Sequence, residues 1–259
     1  MPQLAGKEVG PIGYGLMGLT WHAATWRSLP VPQEQAFEAL HAAIKSGCNC
    51  WNGGESYGTP DNNSLTLLEK YFEKYPEDAD KVVLNIKGGL NPTTNRWDGS
   101  IENTRRSLEN SIAQLKGRKK IDMFEFARRD PNVPLEVTFG FIEQEYVKTG
   151  RIGGVALSEV RLDTIHEAMK YTKVLAVEVE LSLFSTEVLE NGVATACAEY
   201  GIPIIAYLPM SRGASTAARV EENSKVIDLT DEDMAEIDTI LSSFKPAGDR
   251  FPASIPTDT

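Results

Sequence analysis

Two short stretches of the sequence carry side chains that can transfer protons. Trp51 to Pro60 reads WNGGESYGTP and contains Tyr57, and the later run VVLNIKGG contains Lys87. Tyrosine and lysine both act as acid–base groups when a fold holds them against a reacting molecule. We therefore expect the chemistry at the first stretch, and Lys87 is the residue that it must meet.

Side-chain alternation indicates where Lys87 points. Successive residues of a strand face opposite sides, so the apolar face of Val82, Leu84 and Ile86 leaves Lys87 on the other face, near the end of the run. If the apolar face packs on helices, Lys87 points to the inner face of a sheet or barrel. A lysine at a strand end can equally extend into solvent along its aliphatic stem, and the sequence leaves both possibilities open.

The same parity places polar residues at the ends of other apolar runs. They are Asn52, Ser158, Glu178, Glu180 and Tyr207. In a parallel α/β barrel the C-terminal strand ends form the catalytic rim, so these residues indicate a site better together than singly. Tyr57 would overhang that rim from the following loop, although a Tyr-Gly pair is also typical of a turn with an aromatic lid.

Short apolar runs alternate with longer segments of helical period, which predicts βα units and a parallel sheet, the α/β class. Strands are predicted at Pro11 to Leu16, Cys48 to Gly53, Val82 to Gly88, Ile121 to Arg128, Arg151 to Ser158, Val174 to Ser182 and Pro203 to Pro209. Helices are predicted at Gln33 to Ser46, Leu65 to Tyr75, Ser100 to Leu115, Leu135 to Thr149, Leu162 to Tyr171, Glu187 to Tyr200 and Asp231 to Phe244. No linker divides the chain, so residues 1–259 are predicted to form one domain.

Composition excludes several partners. The chain has 26 Lys and Arg against 37 Asp and Glu, a net charge of −11, which gives no basic surface for nucleic acid or anionic lipid. No apolar run approaches a membrane span, and the odd cysteine count predicts no disulfide framework. The expected setting is the cytoplasm, without nucleic-acid or membrane partners.

Several motifs occur in an order that resembles the aldo-keto reductases. They are GPIGYGLMGLTW, NCWNGGESYG, KGG, GGVALSE, VEVELSLFS and PIIAYLPM, followed by ASTAARVEEN. Within that family the chain is most similar to the branch of yeast-type pyridoxal reductases. The resemblance implies a (β/α)8 TIM barrel, NADPH as the cofactor and a small-molecule aldehyde as the substrate.

The resemblance also implies roles for the polar residues of the rim. Tyr57 matches the general acid of the family and Lys87 the lysine beside it, which would lower the pKa of the tyrosine from about 10. Asn52 falls where the family usually has aspartate, and we expect it to orient Lys87 by hydrogen bonding. Ala127 falls at the usual histidine, so no imidazole is available to polarise the carbonyl group. Trp21 follows the first strand with His22, where the two residues either line the substrate entrance or serve packing.

Cofactor contacts are implied for a second set of residues. Ser158 matches a contact to the nicotinamide carboxamide, Glu178 replaces a glutamine in that contact, and Tyr207 matches the platform under the nicotinamide ring. The residues that fit the clamp for the adenosine 2′-phosphate are Ser215, Thr216, Arg219, Glu222 and Asn223. A guanidinium can bind phosphate in bidentate fashion, which favours NADP(H) over NAD(H). Without the resemblance, TAARVEEN is better explained as an ordinary amphipathic helix with a solvated arginine.

One departure concerns the length of the chain between the last predicted strand and the clamp. Family members carry further helices and the eighth strand there, whereas here SRG leads directly into ASTAARVEEN. The barrel is therefore expected to be incomplete. Two unpaired sheet edges are unfavourable, so we favour an omitted segment or a truncated, less stable product over a functional seven-stranded barrel.

Together these features predict NADPH-dependent reduction of an aldehyde, pyridoxal to pyridoxine, with Tyr57 as the general acid. The alternative is an NADP(H)-binding regulatory protein with little turnover, which the altered residues and the short chain would allow. A metal-dependent hydrolase is disfavoured, because no H-x-H pair occurs on a predicted strand and no metal site is expected.

Overall fold

The structure, a computed structural model, describes residues 2–21, 31–208 and 214–243. Within these ranges seven parallel strands form one sheet, and their spatial order follows the chain. The strands are β1 (Tyr14–Gly15), β2 (Cys50–Gly54), β3 (Val83–Gly88), β4 (Met123–Phe126), β5 (Val155–Ser158), β6 (Val174–Glu180) and β7 (Ile204–Tyr207). Each predicted run overlaps one strand, with β2 ending one residue beyond its run, so the predicted α/β organisation is confirmed. Pro209, the predicted end of the last run, lies outside the described residues.

Helices follow the strands, and all but the last of them, which has no buried residue, pack against the rest of the fold. They are α1 (Gln33–Lys45), α2 (Ser64–Lys74), α3 (Ile101–Gln114), α4 (Leu135–Ile142), α5 (Leu162–Ala168), α6 (Val193–Tyr200), α7 (Ala217–Asn223) and α8 (Asp231–Ser243). A π turn, Glu143–Val147, extends α4. Phe244, the predicted end of the last helix, lies outside the described residues.

The single helix predicted from Glu187 to Tyr200 is wrong. A short 3-10 turn, Glu187–Leu189, is separated from α6 by Gly192, whose φ of 89° is left-handed. A residue with that φ cannot continue a right-handed helix, so the helical period of the sequence spans a break that the glycine creates.

Two apolar layers hold the curved sheet. On the outer side Trp51, Leu84 and Phe124 pack against the helices. On the inner side small residues meet an N-terminal hairpin formed by Gln3–Leu4 and Lys7–Glu8. Because side chains alternate, the strand residues that do not face the helices line the interior, and the polar ones among them lie at the C-terminal ends.

The barrel does not close in the described part of the chain. β1 and β7 are the edges of the sheet, and no eighth strand pairs with either of them among the residues described. The fold is thus an incomplete (β/α)8 barrel. Segments of the C-terminal region nevertheless dock beside β1: the Tyr14 hydroxyl donates to the Ala214 carbonyl at 2.7 Å, and Gln35 on α1 donates to the Ser215 carbonyl at 2.7 Å.

Candidate active site

Lys87 lies inside the barrel at the end of β3 and is 6% exposed. Its ammonium group pairs with Glu125, lies 2.8 Å from Glu178 Oε1, and donates to Ser158 Oγ at 3.1 Å. A lysine has three N–H donors, and these three acceptors use them all. The interpretation that Lys87 extends into solvent is therefore wrong, and its ammonium group is held in one place.

The charges around Lys87 decide its protonation. Burial by itself lowers the pKa of a lysine, but the negative charges of Glu125 and Glu178 raise the pKa of Lys87 above its usual range. Lys87 is thus a cation throughout the neutral pH range.

Asn52 shares the inner face with Lys87 but acts on its partners. Its amide nitrogen donates to Glu178 Oε2 at 2.6 Å and to Glu125 Oε2 at 3.4 Å. The hydrogen bond expected between Asn52 and Lys87 is not found, because the amide nitrogen and the ammonium group are both donors and each has a carboxylate to bind. Asn52 therefore positions the two carboxylates that hold Lys87.

Glu125 is a residue of this site that the sequence predictions missed. It is completely buried on β4, and it accepts hydrogen bonds from Lys87 and from the Asn85 amide. In the segment MFEFA it has the same parity as Met123 and Ala127, so the alternation that places Lys87 inside also places Glu125 there. Burial raises the pKa of Glu125 to about 7, Glu178 adds to the rise, and Lys87 opposes it.

Tyr57 lies in the loop after β2 with its ring against the end of that strand. A Cβ atom at Gly54 would lie 2.8 Å from the ring, so only glycine allows this contact. Gly54 pairs with Lys87 in the parallel register of β2 and β3, which brings the tyrosine to the same end of the sheet as the lysine. The Thr20 hydroxyl donates to the Tyr57 carbonyl at 2.7 Å and fixes the backbone of the loop.

The pKa of Tyr57 moves in the opposite direction from the one predicted. Burial raises it to about 12; Lys87 and Arg128 oppose this rise, and Glu178 and Glu125 add to it. The lysine thus acts as predicted, but desolvation and the two carboxylates outweigh it. Tyr57 is protonated at neutral pH, which is the state that a proton donor requires.

Glu55 anchors the loop of Tyr57 to α3. Its carboxylate accepts from Arg106 Nη1 at 2.6 Å, from the Ser107 hydroxyl at 2.5 Å and from the Asn110 amide at 2.7 Å. Its own backbone N–H donates to the Lys87 carbonyl at 2.8 Å. A single residue therefore joins the loop, the helix and the end of β3.

Replacing Glu55 with Ala is expected to loosen this loop. Buried Ser107, half-buried Arg106 and exposed Asn110 lose their acceptor, and the two donors that are shielded from water make this cost about 1–3 kcal/mol of stability. Urea unfolding measures the loss, and Glu73→Ala is the matched control because the Glu73 carboxylate pairs with Arg118 at the surface, away from the loop. A Glu55 variant no less stable than the Glu73 variant would show that the anchor has no role.

Ala127, at the position of the expected histidine, follows β4 directly and has no polar side chain. The following residue, Arg128, places its Nη1 3.4 Å from Ser158 Oγ and lowers the pKa of Tyr57 through its charge. The sequence predictions missed Arg128. The site therefore contains a guanidinium close to where the family pattern has an imidazole.

Trp21 and Tyr207 lie at the rim. The Trp21 ring meets the Tyr57 ring edge to face, with the centroids 6.1 Å apart, and is 37% exposed. The Tyr207 hydroxyl donates to Glu159 Oε1 at 2.7 Å, and Tyr207 pairs with Glu180 in the register of β6 and β7. The Glu180 N–H donates to the same Glu159 Oε1 at 2.8 Å, and His22 lies outside the described residues.

The segment predicted as a phosphate clamp forms α7, which packs against α1 through buried Val220. Thr216 precedes the helix and accepts a hydrogen bond from the Arg219 N–H at 3.4 Å. Arg219, Glu222 and Asn223 are exposed and share one face of the helix, at spacings of three and four residues. Ser215 is buried at the start of the segment.

Other reactive groups do not extend the site. Cys48, Cys50 and Cys197 are free and buried, and burial raises the pKa of Cys50 to about 12 and that of Cys197 to about 11. Within the described ranges no group of three or more His, Cys, Asp or Glu residues could hold a metal ion. Nor do these ranges contain a helix that is long and apolar enough to cross a membrane.

A family model connects the motifs to the fold. The model described as the aldo/keto reductase family matches residues 11–251. The chain belongs to the aldo/keto reductase family. This assignment agrees with the seven parallel strands and with the position of the polar residues at their C-terminal ends.

Curated relatives and solved structures are similar to the chain over most of its length. A probable pyridoxal reductase 2 of Schizosaccharomyces pombe is 44% identical over 217 residues, 83% of this chain and 63% of that protein. A putative pyridoxal reductase of Saccharomyces cerevisiae is 40% identical over 218 residues, 79% of this chain and 60% of that protein. An aldo-keto reductase of Klebsiella pneumoniae, crystallised with NADPH, has a TM-score of 0.72 at 20% identity and covers 93% of both chains. The chain thus has the same fold, but it aligns with less than two thirds of these curated relatives.

Proposed function

We propose that the protein reduces an aldehyde to an alcohol with NADPH, and that its substrate is pyridoxal, a form of vitamin B6, which becomes pyridoxine. The observation that supports this most is the arrangement of Tyr57 beside a buried Lys87 ammonium at the C-terminal rim of the sheet. A protonated tyrosine next to a fixed cation is suited to give a proton to a forming alkoxide.

The residues present fit NADPH in part. Arg219, Glu222 and Asn223 lie together on the exposed face of α7, where the guanidinium can bind the 2′-phosphate. Ser158 Oγ lies at the rim 3.1 Å from Lys87 Nζ, within the site that the nicotinamide must reach. Glu178 fits less well, because its carboxylate already binds Lys87 and Asn52. When bound, NADPH would supply the hydride for the carbonyl carbon.

The side chains of the site supply the remaining steps. Tyr57 donates its proton to the carbonyl oxygen as negative charge develops there. Lys87 stabilises the tyrosinate that remains, and Arg128, which also lowers the pKa of Tyr57, adds positive charge on the side of Ser158. Trp21 shields one side of Tyr57 and lines the entrance for the aldehyde.

Pyridoxal is proposed because two relatives named as pyridoxal reductases share 40% and 44% identity with the chain. The three free cysteines fit a reducing compartment, so the cytoplasm is part of the proposal. Steady-state assays of the full chain test the reaction: NADPH oxidation should require pyridoxal, and pyridoxine should form in equal amount.

Arg219→Ala is expected to raise the KM for NADPH by about tenfold or more, because the loss of a charged, hydrogen-bonded phosphate contact costs about 1.5–3 kcal/mol. The KM for NADH should change little, since NADH lacks the 2′-phosphate. Lys225→Ala is the matched control, because it removes an exposed positive charge just after α7. Equal effects of Arg219→Ala on both cofactors would remove Arg219 from the phosphate site.

A second function, an NADP(H)-binding protein with little turnover, is favoured by the open sheet. Among the described strands β7 is an edge strand, and its residues are half-buried or exposed, so one wall of the barrel is incomplete in that part of the chain. Binding of NADPH without pyridoxal-dependent oxidation would support this second function over the first.

A further inference from the structure

The negative charge that faces Lys87 comes from β4 and β6, whereas the family pattern places it on β2. Position 52 on β2 is a neutral amide, whereas Glu125 on β4 and Glu178 on β6 both contact the ammonium group. The Asn52 amide lies against the two carboxylates at 3.4 and 2.6 Å. An aspartate at position 52 would add a third carboxylate to this buried group, which like-charge repulsion disfavours.

Of the two carboxylates, Glu125 is the one that lies on the strand next to that of Lys87. One of its oxygens binds the ammonium group and the other is held by Asn85 and Asn52. Both Glu125 and Asn85 are completely buried on neighbouring strands, and Glu125 pairs directly with Lys87 in the register of β4 and β3. The orientation of Glu125 is thus fixed by the sheet itself.

We propose that Glu125 is the positioning residue and counter-ion of Lys87, and that it holds the ammonium group beside Tyr57 in place of a carboxylate at position 52. The proposal rests on the proposed function of Tyr57 and Lys87. Tyr57 follows β2 and Lys87 lies on β3. Glu125, on β4, would then be a third residue that sets the net charge around the Tyr57 hydroxyl group.

Glu125 also makes the net charge around Lys87 depend on pH. The titratable groups that face it are Lys87 on β3, Glu178 on β6, Cys50 on β2 and Tyr57 in the loop. Burial and the neighbouring Glu178 bring the pKa of Glu125 to about 7, so the carboxyl group of Glu125 gains or loses its charge near neutral pH. Below that pH Glu125 loses the negative charge that holds the ammonium group of Lys87 beside Tyr57, so kcat for reduction should fall as pH drops through about 7.

A charge-relocation experiment tests the proposal. In the full chain, Glu125→Gln should lower kcat for pyridoxal by about tenfold or more while the Kd of NADPH stays within about twofold, and the fall of kcat around pH 7 should disappear. The double variant Asn52→Asp with Glu125→Gln returns a carboxylate to the inner face and should regain most of the lost kcat. Glu73→Gln, which changes an exposed carboxylate far from Lys87, should behave as the wild type.

A wild-type kcat and pH profile in Glu125→Gln would overturn the proposal. So would a double variant that folds with the Tm of Glu125→Gln but has no higher kcat. If Glu125→Gln does not fold, Glu125→Asp takes its place: the shorter carboxylate should keep the pH dependence and lower kcat, and an unchanged kcat would count against positioning.

A second measurement does not depend on turnover, so it separates this proposal from the proposed function. Acetic anhydride labels only unprotonated amines, and peptide mass spectrometry can compare labelling of Lys87 with that of Lys119, a buried lysine paired with Asp122. Loss of the Glu125 charge lowers the pKa of Lys87, so Glu125→Gln should raise the ratio of Lys87 to Lys119 labelling severalfold. An unchanged ratio would contradict the counter-ion role even if no variant reduces pyridoxal, whereas a raised ratio without turnover would contradict only the proposed reaction.

Discussion

Tyr57→Phe is expected to lower kcat for pyridoxal reduction by about 10² to 10⁴-fold, the range for loss of a positioned general acid. The change removes one hydroxyl group and keeps the ring against Gly54 and Trp21. NADPH binding and thermal stability should therefore stay close to those of the wild type. Steady-state kinetics with a fluorescence titration of NADPH would separate the chemical step from binding.

Tyr200→Phe provides the matched control for this substitution. The Tyr200 hydroxyl lies 2.9 Å from His166 Nδ1, and Tyr200 as a whole is 43% exposed. Its loss should leave kcat unchanged. If Tyr57→Phe retained the kcat of the Tyr200 variant, the proton would have to come from another group, and the role given to Tyr57 would be wrong.

Lys87→Met is expected to abolish measurable turnover and to lower the free energy of unfolding by about 3–5 kcal/mol, because it breaks a buried ion pair by removing one partner. Glu125 and Glu178 would face each other without the ammonium group that now lies between them. Methionine has a similar length and fills the space. The loss of turnover and of stability is therefore due to the missing positive charge more than to altered packing.

The pH dependence of this loss follows from the pKa of Glu125. That pKa is raised to about 7 in the folded protein, so the folded state binds the proton more tightly than the unfolded state, and the stability that this proton confers is lost as pH rises toward 7 and above. The deficit of Lys87→Met should therefore be larger at about pH 8 than at about pH 6, where protonated Glu125 leaves less charge uncompensated. Urea unfolding at both pH values measures it.

Lys74→Met is the control for a surface lysine, since Lys74 pairs with Glu34 at 3.2 Å between exposed side chains. Its stability should change little at either pH. A Lys87 variant as stable as the Lys74 variant would mean that the two buried carboxylates do not need the ammonium group.

Strand parity allowed the interior of the site to be predicted from the sequence. The alternation around Lys87 holds in the structure, and Asn52, Ser158 and Glu178 lie on the same inner face because each has the matching position on its strand. Order along the chain also becomes order in the sheet, as expected when each strand is followed by a helix. These features depend only on local periodicity, which a sequence displays directly.

Partners and charges inside the site could not be predicted in the same way. Glu125 lies between two phenylalanines in a run that reads as uniformly apolar, so its buried carboxylate becomes informative only once Lys87 is found beside it. The net shift in the pKa of Tyr57 depends on its burial and on charges from several strands. Lys87 lowers this pKa, but burial raises it by more. The sequence also could not show that Asn52 binds the two carboxylates and not Lys87. Groups far apart in the sequence compete for the same hydrogen bonds there, and only the fold decides the outcome.

The C-terminal region shows a further limit of local patterns. The sequence predicts that a short connection leaves the barrel open, and the described strands agree. It does not predict that the candidate clamp still docks beside β1 through Tyr14 and Gln35, more than 170 residues earlier in the chain. Those two hydrogen bonds hold the residues just before α7 beside β1 and α1.

Transfer of deuterium is the measurement that tests the proposed reaction most directly. The full chain would be incubated with pyridoxal and NADPH that carries deuterium at both positions of nicotinamide C4, and the alcohol product would be analysed by mass spectrometry. Direct transfer to the carbonyl carbon predicts pyridoxine with one deuterium on its new carbinol carbon, in an amount equal to the NADPH consumed. Pyridoxine without deuterium, or NADPH that binds but is not consumed, would contradict it.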